Sequence, residues 1–310
     1  MPTDRIAAPE MVDLDRRSSV TAPRQRKRAA RLLRYVPPSL LVVVSILGIQ
    51  FGQAWVKGLF GTVSPWGVVA LRLIFAAVVL LVLLRPRLPT DRKIWVVIIG
   101  YGSSIAGMNL FIYPALEQLP VGIAVTLQFL GPFSVAVLGS RRPTDVIWAL
   151  LAGFGVCLFL LPQTSAAGLS AVGIFFALSS GASWACYIVL NKHAGDRTGT
   201  AGTLALAVCW AAIVSAPIGF AHDGLALITD THVLATGFGV AILSAVIPYL
   251  FDWAALRRIS SQTFGILGSL EPAAGGLAAF ILLGEVLTPI QMIAVACVVT
   301  ASAAASMRGR

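Results

Sequence analysis

The sequence predicts an all-α membrane protein, with ten transmembrane helices forming two inverted five-helix repeats and both termini cytoplasmic. Three observations predict it. The composition is 57% hydrophobic and 12% charged with a mean hydropathy of +0.87, and the apolar residues fall in runs of about twenty, the length that spans a bilayer. Basic residues gather in alternate loops, and a shift of about 140 residues brings like positions together.

Residues 1–38 differ from the rest. They are polar and Arg-rich, lack the apolar core of a signal peptide, and end at Pro37-Pro38. They read as a disordered, basic cytoplasmic tail that sets orientation. Binding of nucleic acid is not expected of so apolar a chain.

Breaks of Pro, Gly and charge then delimit spans near 39–56, 66–84, 94–115, 120–139 and 145–161, followed by 170–190, 201–219, 233–251, 261–283 and 289–306. The first five form one repeat, 39–161. Residues 162–169 are the linker, 170–306 the second repeat, and 307–310 a short cytoplasmic end. Ser64-Pro65 and Thr288-Pro289 each place a capping residue before a proline at the first helical position. The alternating ten-residue segments of a β-barrel are absent.

Orientation follows from charge. With the amino terminus inside, 21 of the 23 Lys and Arg residues lie in the tail, the cytoplasmic loops and the carboxyl end, including Arg85, Arg87, Arg141, Arg142, Arg257 and Arg258. The two remaining are Lys57, at an outer helix end, and Arg72, inside the second span.

The shift of 140 residues aligns Ala115-Leu116 with Ala255-Leu256, Leu127 with Leu267, Leu130 with Leu270, Pro132 with Pro272, and Asp145 with Glu285. An odd number of spans per half makes the second half enter the membrane from the opposite side, the inverted-repeat arrangement of many secondary transporters.

GMNLFIYPALEQLPVGIAVTLQFLGPFSVAVLGSRRPTD, GASWACYIVL, and AILSAVIPYLFDWAALRRISSQTFGILGSLEPAAGGLAAFILLGEVLTPIQ resemble the drug/metabolite transporter superfamily with its EamA-type repeats. The likeness covers about residues 39–306. SLEPA through LGE marks the superfamily, whereas GMN, GIAVTLQFLGP and SRRP point to its exporter subgroup. The resemblance implies a multi-pass inner-membrane antiporter that exports small, threonine- or homoserine-like amino acids, driven by proton entry. Its partners would be a small-molecule substrate, protons and the lipid bilayer, with no cofactor. Export of another metabolite or xenobiotic on the same scaffold is the alternative.

Candidate residues are the polar groups inside the spans. Glu271 and Pro272 stand together at mid-span, where an ionised group costs about 2.5–3.5 kcal/mol and persists facing a cavity or partner. Proline also frees a carbonyl one turn earlier, so the pair reads as a broken helix lining the path, with Glu271 binding and releasing protons. A protonated glutamate acting as structural glue is the bland alternative. Pro132 holds the matching place in the first half, beside Gly131.

Arg72 requires an anionic partner or water. It could hold a substrate carboxylate with its planar fork, pair with Glu271 or Asp252, or snorkel to the inner interface. Asp252, near an inner helix end, reads first as a solvated interfacial acid; the resemblance favours an acid at this place and makes it a second proton-coupling candidate. Asn109 and Tyr113 share a helix face, and with Gln128, Trp184 and Tyr187 they are candidates for substrate recognition. Gln128 stands where the resemblance leads one to expect an acid; it can hydrogen-bond but does not titrate.

Enzyme chemistry is not expected. The sequence has no HExxH, phosphate-cradling glycine loop or paired catalytic carboxylates, and its four cysteines and three histidines are scattered without metal-ligand spacing. A passive channel would need a continuous polar face, which these sparse groups do not provide.

Overall fold

The computed structural model describes residues 36–57, 60, 62–138, 144–160, 169–198, 201–224, 226–256, 258–259, 267–268 and 270–308. Residues 1–35 of the predicted tail, most of the 162–169 linker, the Arg141-Arg142 loop, Arg257 and the start of the ninth expected span lie outside these residues.

Helices dominate throughout, and among the described residues there is no β-strand beyond an isolated bridge between Phe60 and Val63. The first five are α1 Pro38–Lys57, α2 Pro65–Leu84, α3 Arg92–Gln118, α4 Val121–Leu138 and α5 Thr144–Leu160. The second half holds α6 Ala171–Thr198, α7 Ala201–Asp223, the short α8 Ala226–Thr229, α9 Thr231–Ala241, a π-helical turn Ile242–Val246, α10 Ile247–Leu256, α11 Glu271–Leu283 and α12 Pro289–Arg308.

Local chemistry sets the boundaries. Ser64 accepts a hydrogen bond from the Gly67 N–H at 3.1 Å, with Pro65 opening α2, and Asp91 accepts from Lys93 N–H at 2.8 Å before α3. Thr288 and Gln291 form a reciprocal capping box: the Thr288 N–H donates to Gln291 Oε1 at 2.9 Å and the Gln291 N–H to Thr288 Oγ1 at 3.3 Å. Gly224 and Gly284 end α7 and α11 at positive φ, a conformation costly to residues with a Cβ.

Prolines within the helices act differently from one another. Helix α4 runs unbroken through Pro132, which removes one backbone bond without ending the helix. Pro272 lies in the first turn of α11, where its missing N–H would have had no helical partner. Glu271-Pro272, where a break is expected, stands at a helix start, whereas the break expected at Pro132 does not occur in α4.

Among the described residues, six helical segments are long and apolar enough to cross a membrane: Pro38–Lys57, Pro65–Leu84, Arg92–Gln118, Ala171–Leu190, Gly202–Asp223 and Thr231–Ala255. Val121–Val135, Glu271–Leu283 and Pro289–Ala301 are shorter apolar helices. Large apolar side chains such as Val82, Val96, Leu150 and Phe175 point outward, a surface suited to lipid.

The extensive packing joins early helices to late ones. Helix α3 packs on α6 and α7, α4 on α6 and α11, α1 on α10 and α11, α2 on α7 and α9, and α5 on α12. Glycines permit the closest of these approaches. A Cβ on Gly131 would lie 1.9 Å from the Gly181 carbonyl oxygen, and one on Gly48 would lie 2.7 Å from that of Leu243.

At one end of the bundle, polar ties link the same two sets of helices. Lys57 Nζ lies 2.7 Å from Glu285 Oε1 and donates to the Leu119 carbonyl at 2.5 Å, while the Val121 N–H donates to Glu285 Oε2 at 2.9 Å. Ser64 donates through N–H and Oγ to the Asp223 carboxylate at 2.9 and 2.5 Å, and Ser170 Oγ donates to Gln118 Oε1 at 2.5 Å.

Candidate functional site

Helix α2 carries Arg72 into the interior, where it is 3% exposed. Its guanidinium donates from Nε to Ser244 Oγ at 2.8 Å and also to the Asn109 side-chain oxygen and the Ser244 carbonyl. The Tyr113 ring lies beneath, with its centroid 5.8 Å from Cζ. Asn109 and Tyr113 come together here because they lie one turn apart on α3.

The Ser244 carbonyl is available for a sequence reason. The residue four places on is Pro248, which has no N–H to return to it, and the π-helical turn Ile242–Val246 occupies this stretch. Ser244 Oγ also donates to the Val240 carbonyl at 2.8 Å, and Asn109 Nδ2 donates to the Ile105 carbonyl at 2.7 Å, which turns the amide oxygen toward the arginine. Hydrogen bonds to a charged group contribute about 1.5–3 kcal/mol each, so three of them can hold a buried guanidinium. None cancels its charge. Among the described residues, the ion pair found is Lys57–Glu285, so neither Glu271 nor Asp252 forms a salt bridge with Arg72.

The two intramembrane acids lie near each other instead. Glu271, 8% exposed, occupies the first turn of α11, and Asp252, half-buried on α10, is within electrostatic reach of it and interacts with the Ser45 hydroxyl of α1. A helix amino terminus favours negative charge, so the start of α11 partly offsets an ionised Glu271.

Tyr187 stacks on Tyr101, with ring centroids 5.2 Å apart, and both lie within electrostatic reach of Tyr249 and Asp252. Tyr249 is similarly close to Tyr113. Four tyrosines, Tyr101, Tyr113, Tyr187 and Tyr249, thus gather beside Arg72 and Asp252.

Gln128 and Trp184 stand at a helix junction with contacts of their own. Gln128 Nε2 donates to Ser180 Oγ at 2.8 Å, and Ser180 Oγ donates to the Met108 carbonyl at 2.7 Å, tying α4, α6 and α3 together. Trp184 meets Phe129 edge-on at 5.8 Å. Pro132 frees the Gln128 carbonyl, and that oxygen would lie 2.6 Å from a Cβ on Gly181, so glycine is needed opposite it.

Sequence reasoning missed Ser244, Tyr101 and Tyr249. The signal for Ser244 was the proline four residues later. No local signal marks the tyrosines, whose relation to the site arises from helix packing. No cluster of metal-ligating side chains exists among the described residues.

Comparison with known proteins follows this geometry. Residues 171–307 match the EamA-like transporter family. The threonine/homoserine exporter RhtA of Escherichia coli K12 is 38% identical over 283 residues, 90% of this chain and 95% of that protein. RhtA of Salmonella typhimurium SL1344 is 39% identical over 267 residues, covering 86% of this chain and 90% of its own. A solved crystal structure, 19% identical, shares the fold with a TM-score of 0.61, covering 87% of this chain and 96% of that one. Identity at this level over nearly the whole membrane region settles the family, so the chain belongs to the EamA-like transporters of the drug/metabolite transporter superfamily, membrane-spanning transporters rather than enzymes.

Proposed function

We propose that this protein is a plasma-membrane secondary transporter that exports small, threonine- or homoserine-like amino acids in exchange for protons, with both termini cytoplasmic. The observation that carries the reading is Arg72, a buried cation held only by neutral groups, in a helical interior that also holds two neighbouring acids, Asp252 and Glu271. A zwitterion matches that pair of charges: its carboxylate meets the guanidinium bidentately and its ammonium turns toward the acids. The similarity to RhtA supports an amino acid as cargo.

Alternating access between two inverted repeats, 39–161 and 170–306, is the mechanism we propose. The packing supports it. Exchanging the halves turns the α3–α6 contact into α10–α1, α4–α6 into α11–α1 and α3–α7 into α9–α2, while α2–α7, α4–α11 and α5–α12 return to themselves. In the topology drawn from charge, the ties at Lys57–Glu285, Ser64–Asp223 and Gln118–Ser170 all fall at the outer end and join the halves, so they hold the outer side shut. Burial away from water disfavours a charged carboxylate and access to water restores it, so a proton taken up at Glu271 on one side is released on the other.

Counterflow of labelled threonine and homoserine in proteoliposomes tests the reading, with wild type beside Glu271→Gln. Wild type should exchange both amino acids, and a pH gradient should drive net uptake only while Glu271 is present. Correctly inserted wild type that moves neither amino acid would overturn the cargo; a Glu271→Gln variant still driven by the gradient would overturn the proton role.

A further inference from the structure

Gln50 of α1 is fully buried, and both atoms of its amide, Oε1 and Nε2, have no hydrogen-bond partner. Its neighbour one turn on, Gln53, has an unpartnered Oε1. Leaving a buried donor and acceptor unpaired costs about 1–3 kcal/mol per group, which a packing role does not recover, since leucine would fill similar space without the penalty.

Two glycine contacts place the two faces of α1 here. A Cβ on Gly52, two residues further along α1, would stand 2.5 Å from Ser244 Cβ, and Ser244 holds Arg72. On the other side, a Cβ on Gly275 would stand 3.1 Å from Gln50 Oε1, and Gly275 is one turn beyond Glu271. Helix α1 is thus placed between the segment that meets the cation and the helix that begins with the acid, with the Gln50 amide on the side of the acid's helix.

We infer that Gln50 is the residue that recognises the substrate side chain, and that it selects a hydroxyl. This rests on the transport reading above. An amide offers one acceptor and a donor group, and an alcohol both donates and accepts, so a single threonine or homoserine hydroxyl can engage both unpartnered atoms. Valine has the shape of threonine but would leave the amide buried and unpaired. A site built to bond a hydroxyl rejects the analogue that lacks it far more strongly than an apolar pocket rejects a methylene.

The test is counterflow of threonine, homoserine and valine in proteoliposomes by wild type, Gln50→Leu and Gln50→Asn. Wild type should prefer threonine to valine, and Gln50→Leu should shrink that ratio roughly tenfold, through the loss of about one hydrogen bond. Gln50→Asn withdraws the amide by one methylene, so its preference should move from threonine toward homoserine, whose hydroxyl reaches one carbon further. This variant keeps the proposal open to refutation if leucine prevents folding. Active variants with the wild-type ratios overturn the assignment to Gln50 alone. Wild type that exchanges none of the three amino acids overturns the transport reading and this assignment with it.

Discussion

A guanidinium inside a membrane is held by whatever replaces its water. Arg72 obtains an amide oxygen, a hydroxyl and a carbonyl, each neutral, so it is fixed in direction while its charge remains for an anion. Arg72→Gln should therefore lower kcat/KM for amino-acid counterflow by about 10–100-fold, the worth of a charge-assisted bond, while thermal unfolding in detergent still reports a folded protein. Arg72→Lys should not restore it, because an ammonium lacks the planar fork. An unchanged kcat/KM in either variant would remove Arg72 from the substrate path. Much of this site was legible by residue type: an arginine, a glutamate and an aspartate within apolar spans are costly enough to mark themselves. Their partners were not, and the pairing of Arg72 with Glu271 or Asp252 considered from sequence does not occur as a salt bridge.

Among elements, glycine governs how closely helices meet. Gly131→Ala in α4 would force a methyl within 1.9 Å of the Gly181 carbonyl, contact that backbone must yield to relieve. We expect a loss of at least about 1–3 kcal/mol of stability, read as a lower unfolding temperature in detergent. Gly153→Ala in α5 supplies the contrast: nothing lies within 4 Å of the added methyl, so helix propensity alone should act and stabilise by up to about 1 kcal/mol. Equal shifts for the two would refute the packing argument. Helix positions were readable from hydrophobic runs, and starts at Ser64-Pro65 and Thr288-Pro289 from capping chemistry. The effect of internal prolines was less so. Pro132 and Pro272 look alike in sequence, yet one sits inside a continuous helix and the other in a first turn, because a proline's consequence depends on whether its missing N–H had a partner to lose.

Across the whole molecule, the alternating access proposed above makes the ties at one end a bias toward a single state. Lys57 binds both Glu285 and the Leu119 carbonyl, with the two side chains only 17% and 22% exposed. Removing a partly buried pair that exists in one of two states shifts their balance by its interaction energy, here on the order of 1–2 kcal/mol or about 5–30-fold. Lys57→Ala should thus raise labelling of a cysteine placed at Val125, in a cysteine-free background, by a membrane-impermeant maleimide added outside. Unchanged labelling would mean that the ties do not close the outer side. The sequence by itself determined an apolar helical chain and the identity of its costly polar groups, because transfer energies, capping and helical period act within about twenty residues. Tertiary structure alone decided that Arg72 would meet Asn109 and Ser244, 37 and 172 residues away, and that Gln50 would stand with its amide unpaired beside Gly275. Those outcomes depend on which helix faces pack together, and in an apolar solvent, where many faces are equally hydrophobic, side-chain shape and glycine placement make that choice rather than local pattern.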